Sequence, residues 1–226
     1  MVAVQEGVMD PERIGYWLCK TFPFLPLWLG GTSLSGQSGL YQRFCAASEG
    51  YRQHLIERGV DASRIAVTGI PNFDDCRRYL DNSFPHRNFV LVCTSDARET
   101  LKVDFRGRLI RRALAIANGR KLIFKLHPNE DQERASREIT QHAPEALIFG
   151  TGCAEEMIAN CDVLLTQWSS TAFVGIALGK EVHSNFGTER LRRLCPWQNG
   201  GISARNIAEV CRDVMGGPRL RKAVGA

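Results

Sequence analysis

Lys121-Leu122-Ile123-Phe124-Lys125-Leu126 runs straight into His127-Pro128-Asn129-Glu130, and Asp162-Val163-Leu164-Leu165-Thr166 runs the same way into Gln167-Trp168-Ser169-Ser170-Thr171. Each begins as an apolar run of strand length and ends in polar residues that open a helix. Phe89–Cys93, Ala146–Phe149 and Glu181–Ser184 share that character. Helical patterns lie between the runs. Residues 105–118 carry Leu109, Ile110, Ala113, Leu114 and Ala117 at helical spacing, with Arg106, Arg108, Arg111 and Arg112 expected on the surface. Residues 130–142, 154–160, 170–179 and 203–215 also read as helices. Continuous apolar strands alternating with helices predict an α/β domain with a Rossmann-like parallel sheet and helices on both faces.

That pattern accounts for residues 89–215, expected to form one complete Rossmann-like domain. The first 88 residues hold fewer strands: Val2–Val4, Arg43–Ala46 and Ile65–Thr68, with Ser48 placed to cap a helix over 49–58. Residues 1–70 therefore read as the tail of an N-terminal α/β domain whose front is missing. Residues 71–88, with Pro71, Asn72, Asp81, Asn82 and Pro85, read as the interdomain linker, and 216–226 as a frayed tail.

The chain has 226 residues, 44% of them hydrophobic and 23% charged, so disordered, collagen-like and low-complexity classes are excluded. Lys and Arg exceed Asp and Glu by 29 to 24. An excess of that size suits an anionic small ligand or an anionic membrane surface and does not argue for nucleic acid. The eight cysteines never form a C-x-x-C pair, and the five histidines have no zinc spacing, so no metal site is expected. Cysteines set in apolar runs, with no secretory signal ahead of them, predict reduced thiols and a cytoplasmic chain, at most peripheral to the inner membrane.

Ligands of open parallel sheets bind at the carboxyl edge, and the candidate residues fall there. His127, held by Pro128 before a helix that Asn129 can cap, reads either as a donor to a phosphate or carboxylate or as a histidine bonded to a nearby carbonyl. Ser169, Ser170 and Thr171 offer hydroxyls to an anion, or simply cap a helix. Lys125 ends the same strand that leads to His127. Thr94, Ser95 and Arg98 follow the first strand of the domain and face the crevice of a doubly wound sheet, or form a structural turn. Gln5-Glu6-Gly7 follows the first strand of the chain, where Glu6 reads as a general base or as a solvated loop acid. Phosphate-loop, dinucleotide-fingerprint and nucleophile-elbow patterns are absent.

Phe44-Cys45-Ala46-Ala47-Ser48-Glu49-Gly50-Tyr51 and Val67-Thr68-Gly69-Ile70-Pro71-Asn72-Phe73-Asp74 resemble the interdomain region of GT-B-type proteins. That superfamily includes nucleotide-sugar glycosyltransferases, UDP-N-acetylglucosamine 2-epimerases and CDP-glycerol glycerophosphotransferases. His127-Pro128 resembles the HP motif of its capsule-type and sialic-acid-type members, and Ser169-Ser170 the paired-serine motif that follows it. Gln5-Glu6-Gly7 is similar to their acidic-acidic-Gly motif, with Gln5 replacing the first acid. The 2-epimerases usually carry a Ser-Gly-Gly turn where this chain has Ser169-Ser170-Thr171.

The resemblance implies a C-terminal domain that binds a nucleotide-sugar or CDP-activated donor, with His127 and the serines at its phosphates and Glu6 as base. It implies a carbohydrate or lipid-linked acceptor, peripheral membrane association, and no cofactor beyond the donor substrate. Transfer of a sugar in polysaccharide or glycoconjugate synthesis is the leading expectation. Glycerophosphate transfer, 2-epimerisation and a non-catalytic nucleotide-sugar-binding fragment are the alternatives.

Overall fold

The computed structural model describes residues 1–12, 14–22, 24–100 and 104–216. The expected tail from residue 217 onward lies outside the described residues. The chain divides into two compact units, one made of Met1–Asp75 with the segment from Arg193 onward, the other of Cys76–Arg192.

The second unit holds strands β4 (Val90–Cys93), β5 (Leu122–Lys125), β6 (Leu147–Phe149), β7 (Val163–Thr166) and β8 (Glu181–His183). All pair in parallel, in the order β6-β5-β4-β7-β8. Every residue of β4, β5 and β7 is buried, which is why these three strands read as unbroken apolar runs. Helices α3 (Arg106–Ala117) and α4 (Gln132–His142) cover one face, where Leu109, Ile110, Ala113 and Ile139 pack on Val90, Val92, Phe124 and Leu165. Helices α5 (Ala154–Asn160) and α6 (Thr171–Ala177) contact β4 and β7, and α7 (Thr188–Leu194) follows β8. Phe124 is fully buried, and burying one such side chain contributes about 1.5–3 kcal/mol. Gly175 lets α6 lie close to the sheet, since a Cβ there would come within 2.8 Å of Val182 and 2.9 Å of Leu164.

The chain leaves β4 toward β5 and β6 on one side and returns to β7 and β8 on the other. The carboxyl ends of β4 and β7 therefore flank a topological switch point, where open parallel sheets place their ligands.

In the first unit β1 (Val2–Val4), β2 (Arg43–Ala46) and β3 (Ile65–Val67) form a parallel sheet in the order β1-β2-β3. Helix α1 (Ile14–Thr21) follows β1. Helix α2 (Glu49–Glu57) follows β2 and starts as expected, with the Ser48 hydroxyl accepting from the Tyr51 amide at 3.2 Å. Helix α8 (Ser203–Gly216) packs on β1 and β2. The sequence reading assigned 203–215 to the later domain, and the structure places that helix in the first unit. Asp74 ties it there, accepting the amides of Asn199 at 2.8 Å, Gly200 at 3.1 Å and Ser203 at 3.0 Å.

All eight cysteines are free. No helix among the described residues is long and apolar enough to cross a membrane.

Candidate functional site

The turn after β5 is built by Glu130 rather than by the expected cap at Asn129. Asp131 caps α4, its carboxylate accepting from the Arg134 amide at 2.9 Å. That leaves Pro128 and Asn129 to shape the turn, and the Asn129 amide donates to His127 Nδ1 at 3.2 Å. A neutral imidazole that accepts at Nδ1 carries its proton on Nε2. The ring, 35% exposed, thus has Nε2 as a donor in both protonation states. Asp96 lies 4.0 Å from Nδ1. The backbone of His127 is held from below, its N–H donating to Thr94 Oγ1 at 3.0 Å and Glu130 Oε1 at 2.8 Å.

Glu130 is buried, with a side chain 1% exposed, and pairs with Arg106 Nη2 at 2.7 Å. Arg106 also contacts Asp104 at 3.1 Å, and Asp104 contacts Arg98 at 3.4 Å. Arg98 reaches Glu138 at 2.6 Å, a bond that raises its pKa further above the ordinary guanidinium value. The Gln167 amide donates to Asp104 at 3.2 Å. One ionic network therefore ties α3, α4 and the loops after β4 and β7 together beneath the His127 turn. The expectation of a surface Arg106 is corrected here, because its guanidinium is 4% exposed inside this network.

A cleft of about 560 Å³ opens at the carboxyl edge of the sheet. Of the candidate residues, Thr94, Lys125, His127, Ser169 and Thr171 line it. Thr94 is spent on structure, its hydroxyl bonding Glu130 and the Lys125 carbonyl. Lys125 is buried, and its ammonium donates to the carbonyls of Leu126 at 2.7 Å and Gly150 at 3.3 Å. The Ser169 and Thr171 hydroxyls sit 2.9 Å apart, and the Thr171 amide donates to Ser169 Oγ at 3.2 Å. Ser170 precedes α6 and is not among the lining residues. Ser95 bonds Gln167 at 3.4 Å, and Arg98 is held by its carboxylates, so neither lines the cleft. Glu6 is an exposed residue of the first unit, just after β1.

The loop after β6 and the start of α5 add Gly150, Thr151, Gly152, Cys153, Ala154 and Glu155 to the lining. Its glycine spacing matches no phosphate-loop or dinucleotide pattern, so sequence reasoning passed over it. Cys93 also lines the cleft, but burial pushes its pKa up to about 12, and burial likewise raises Cys153. Both stay protonated near neutral pH and are poor nucleophiles. Among the described residues no group of three or more His, Cys, Asp and Glu side chains could hold a metal ion.

No protein-family model matches the chain, and no curated protein sequence matches it. Solved structures do. The chain is similar to UDP-GlcNAc 2-epimerase from Neisseria meningitidis bound to UDP-GlcNAc, at 12% identity over 93% of this chain and 69% of that one, with a TM-score of 0.57. It is similar to MnaA of S. aureus in complex with UDP, at 16% identity over 89% and 57%, with a TM-score of 0.55. The wall teichoic acid polymerase TagF is a looser match, with a TM-score of 0.45 at 13% identity over 80% and 48%. The fold is α/β and GT-B-like, as the interdomain and HP motifs implied.

Proposed function

We propose that the second unit binds a nucleotide-activated sugar and that the chain is a glycosyltransferase-like protein of the GT-B type. One observation carries this reading: His127, Ser169 and Thr171, on loops after two different parallel strands, line a single cleft at the carboxyl edge. The Nε2 proton and the two hydroxyls are suited to the oxygens of a donor phosphate. Hydrogen bonds to such a charged group are roughly twice as strong as neutral ones. They also strengthen as charge develops on the departing phosphate, the interaction that lowers a transfer barrier. The GT-B resemblance supports Glu6 as the base that activates an acceptor hydroxyl, in polysaccharide or glycoconjugate synthesis.

Support for a lipid-linked acceptor at a membrane surface comes from the first unit. Residues 14–42 contain one charged side chain, Lys20, and expose Trp17 and Trp28, the amphipathic aromatic type that settles at membrane interfaces. The solved 2-epimerase with bound UDP-GlcNAc makes epimerisation of such a donor the second reading. The products separate the two: epimerisation needs no acceptor and releases no nucleotide.

Calorimetric titration of UDP and CDP into wild type and His127→Ala tests the binding step. The variant is expected to bind the better nucleotide about ten- to a hundred-fold more weakly, the loss of one charge-assisted bond. Equal affinities in two equally folded proteins would remove His127 from the site and the main support for the reading.

A further inference from the structure

The cleft is not uniform along its length. Glu155, the second residue of α5, and the Ser169 and Thr171 hydroxyls after β7 line the same cleft from different elements. The β7 end presents donors to an anion. The start of α5 presents a carboxylate: Glu155 lines the cleft with its Oε2 accepting from the Cys153 thiol at 3.2 Å. Among the described residues no protein hydrogen bond is made to its Oε1. An anionic phosphate is repelled there, so a nucleotide laid along the edge turns its base toward Glu155.

We propose that Glu155 selects a nucleobase carrying an exocyclic amino group, such as cytosine, over uracil; the inference rests on the donor-binding reading above. An ionised carboxylate can only accept hydrogen bonds. Cytosine offers an N4 amino donor at the position where uracil has its O4 acceptor, and a carboxylate accepting from that amino group is the ordinary way a protein reads cytosine. Uracil O4 would face the carboxylate acceptor to acceptor, leaving two desolvated polar groups unmatched.

The neighbouring groups do not cancel this preference. The Lys125 ammonium is committed to the carbonyls of Leu126 and Gly150. The Gln132 side chain lies against Gly150, where a Cβ would collide with its Oε1, and an amide that offers both a donor and an acceptor accommodates either pyrimidine.

The test is a calorimetric titration of wild type and Glu155→Gln with CDP, UDP, ADP and GDP. Wild type is expected to bind CDP about ten-fold or more tightly than UDP, the size of one matched base contact. Glu155→Gln, isosteric and able to present a donor, is expected to close that gap by weakening CDP and strengthening UDP. ADP and GDP decide whether the amino group is read on a pyrimidine or on a purine, and tight binding of either over UDP, lost in Glu155→Gln, also supports the assignment. Wild-type affinity for UDP equal to or tighter than that for CDP, ADP and GDP alike, or a preference that Glu155→Gln leaves unchanged, would overturn it while leaving the nucleotide reading standing. Failure of all four nucleotides to bind would overturn both.

Discussion

Cys93 ends the central strand of its sheet and Cys161 follows α5, and at both positions burial pushes the thiol up to about 12. The folded state thus holds each proton more firmly than an unfolded chain, whose thiols titrate near 9. The stability linked to these thiols is fully present below that unfolded value and is lost as pH rises toward the folded one. We expect the urea midpoint of wild type to fall between roughly pH 9 and 12, and to fall less steeply in Cys93→Ala, because the variant lacks one differential titration. The comparison uses slopes, so the cavity that alanine leaves does not enter it. Parallel pH profiles for the two proteins would show that Cys93 titrates alike in both states. His127 gives the opposite lesson at the same scale: its backbone is fixed by Thr94 and Glu130, and its ring is left a proton to offer.

Between elements, the Arg106–Glu130 pair joins the start of α3 to the turn before α4 with both side chains almost wholly buried. Removing one partner leaves the other charge desolvated, so Arg106→Met is expected to lose about 3–5 kcal/mol of stability, while replacing both by apolar residues should cost less than the sum of the single changes. Denaturant unfolding of the two single variants and the Arg106→Met/Glu130→Leu double variant measures this, and strict additivity would mean the pair does not act as a unit. This network was not legible in the sequence, and the reason is physical. Strands β4, β5 and β7 announce themselves because burial on both faces demands continuous apolar residues. Arg106 sits among Arg108, Arg111 and Arg112 on one amphipathic helix, and nothing local distinguishes the one whose partner lies across the fold. The same limit hid the Gly150–Cys153 loop and the start of α5, whose contribution depends on which strand their neighbour is. His127, Ser169 and Thr171 were legible because each follows an apolar run directly, and a strand end fixes a sheet edge.

At the scale of the whole chain, α8 shows where sequence order and spatial order part. Ile207, Val210, Cys211 and Val214 recur at helical spacing and are among its less exposed positions, a pattern that fits any sheet and so looked like the last helix of the nearer domain. In the structure it covers β1 and β2, which makes the first unit discontinuous and the second, Cys76–Arg192, continuous. A three-stranded sheet is marginal without a packed layer, so the two units should respond differently to loss of the C-terminal segment. A chain ending at Pro196 is expected to lose amide-exchange protection in β1, β2 and β3, while β4, β5 and β7 keep theirs and any nucleotide bound by the full chain is bound with similar affinity. Hydrogen exchange read by mass spectrometry, with and without nucleotide, measures both halves of the statement. Retained protection in β1–β3 would show that the first sheet stands without α8, and loss of protection in β4, β5 and β7 would show that the second unit depends on the segment it does not contain.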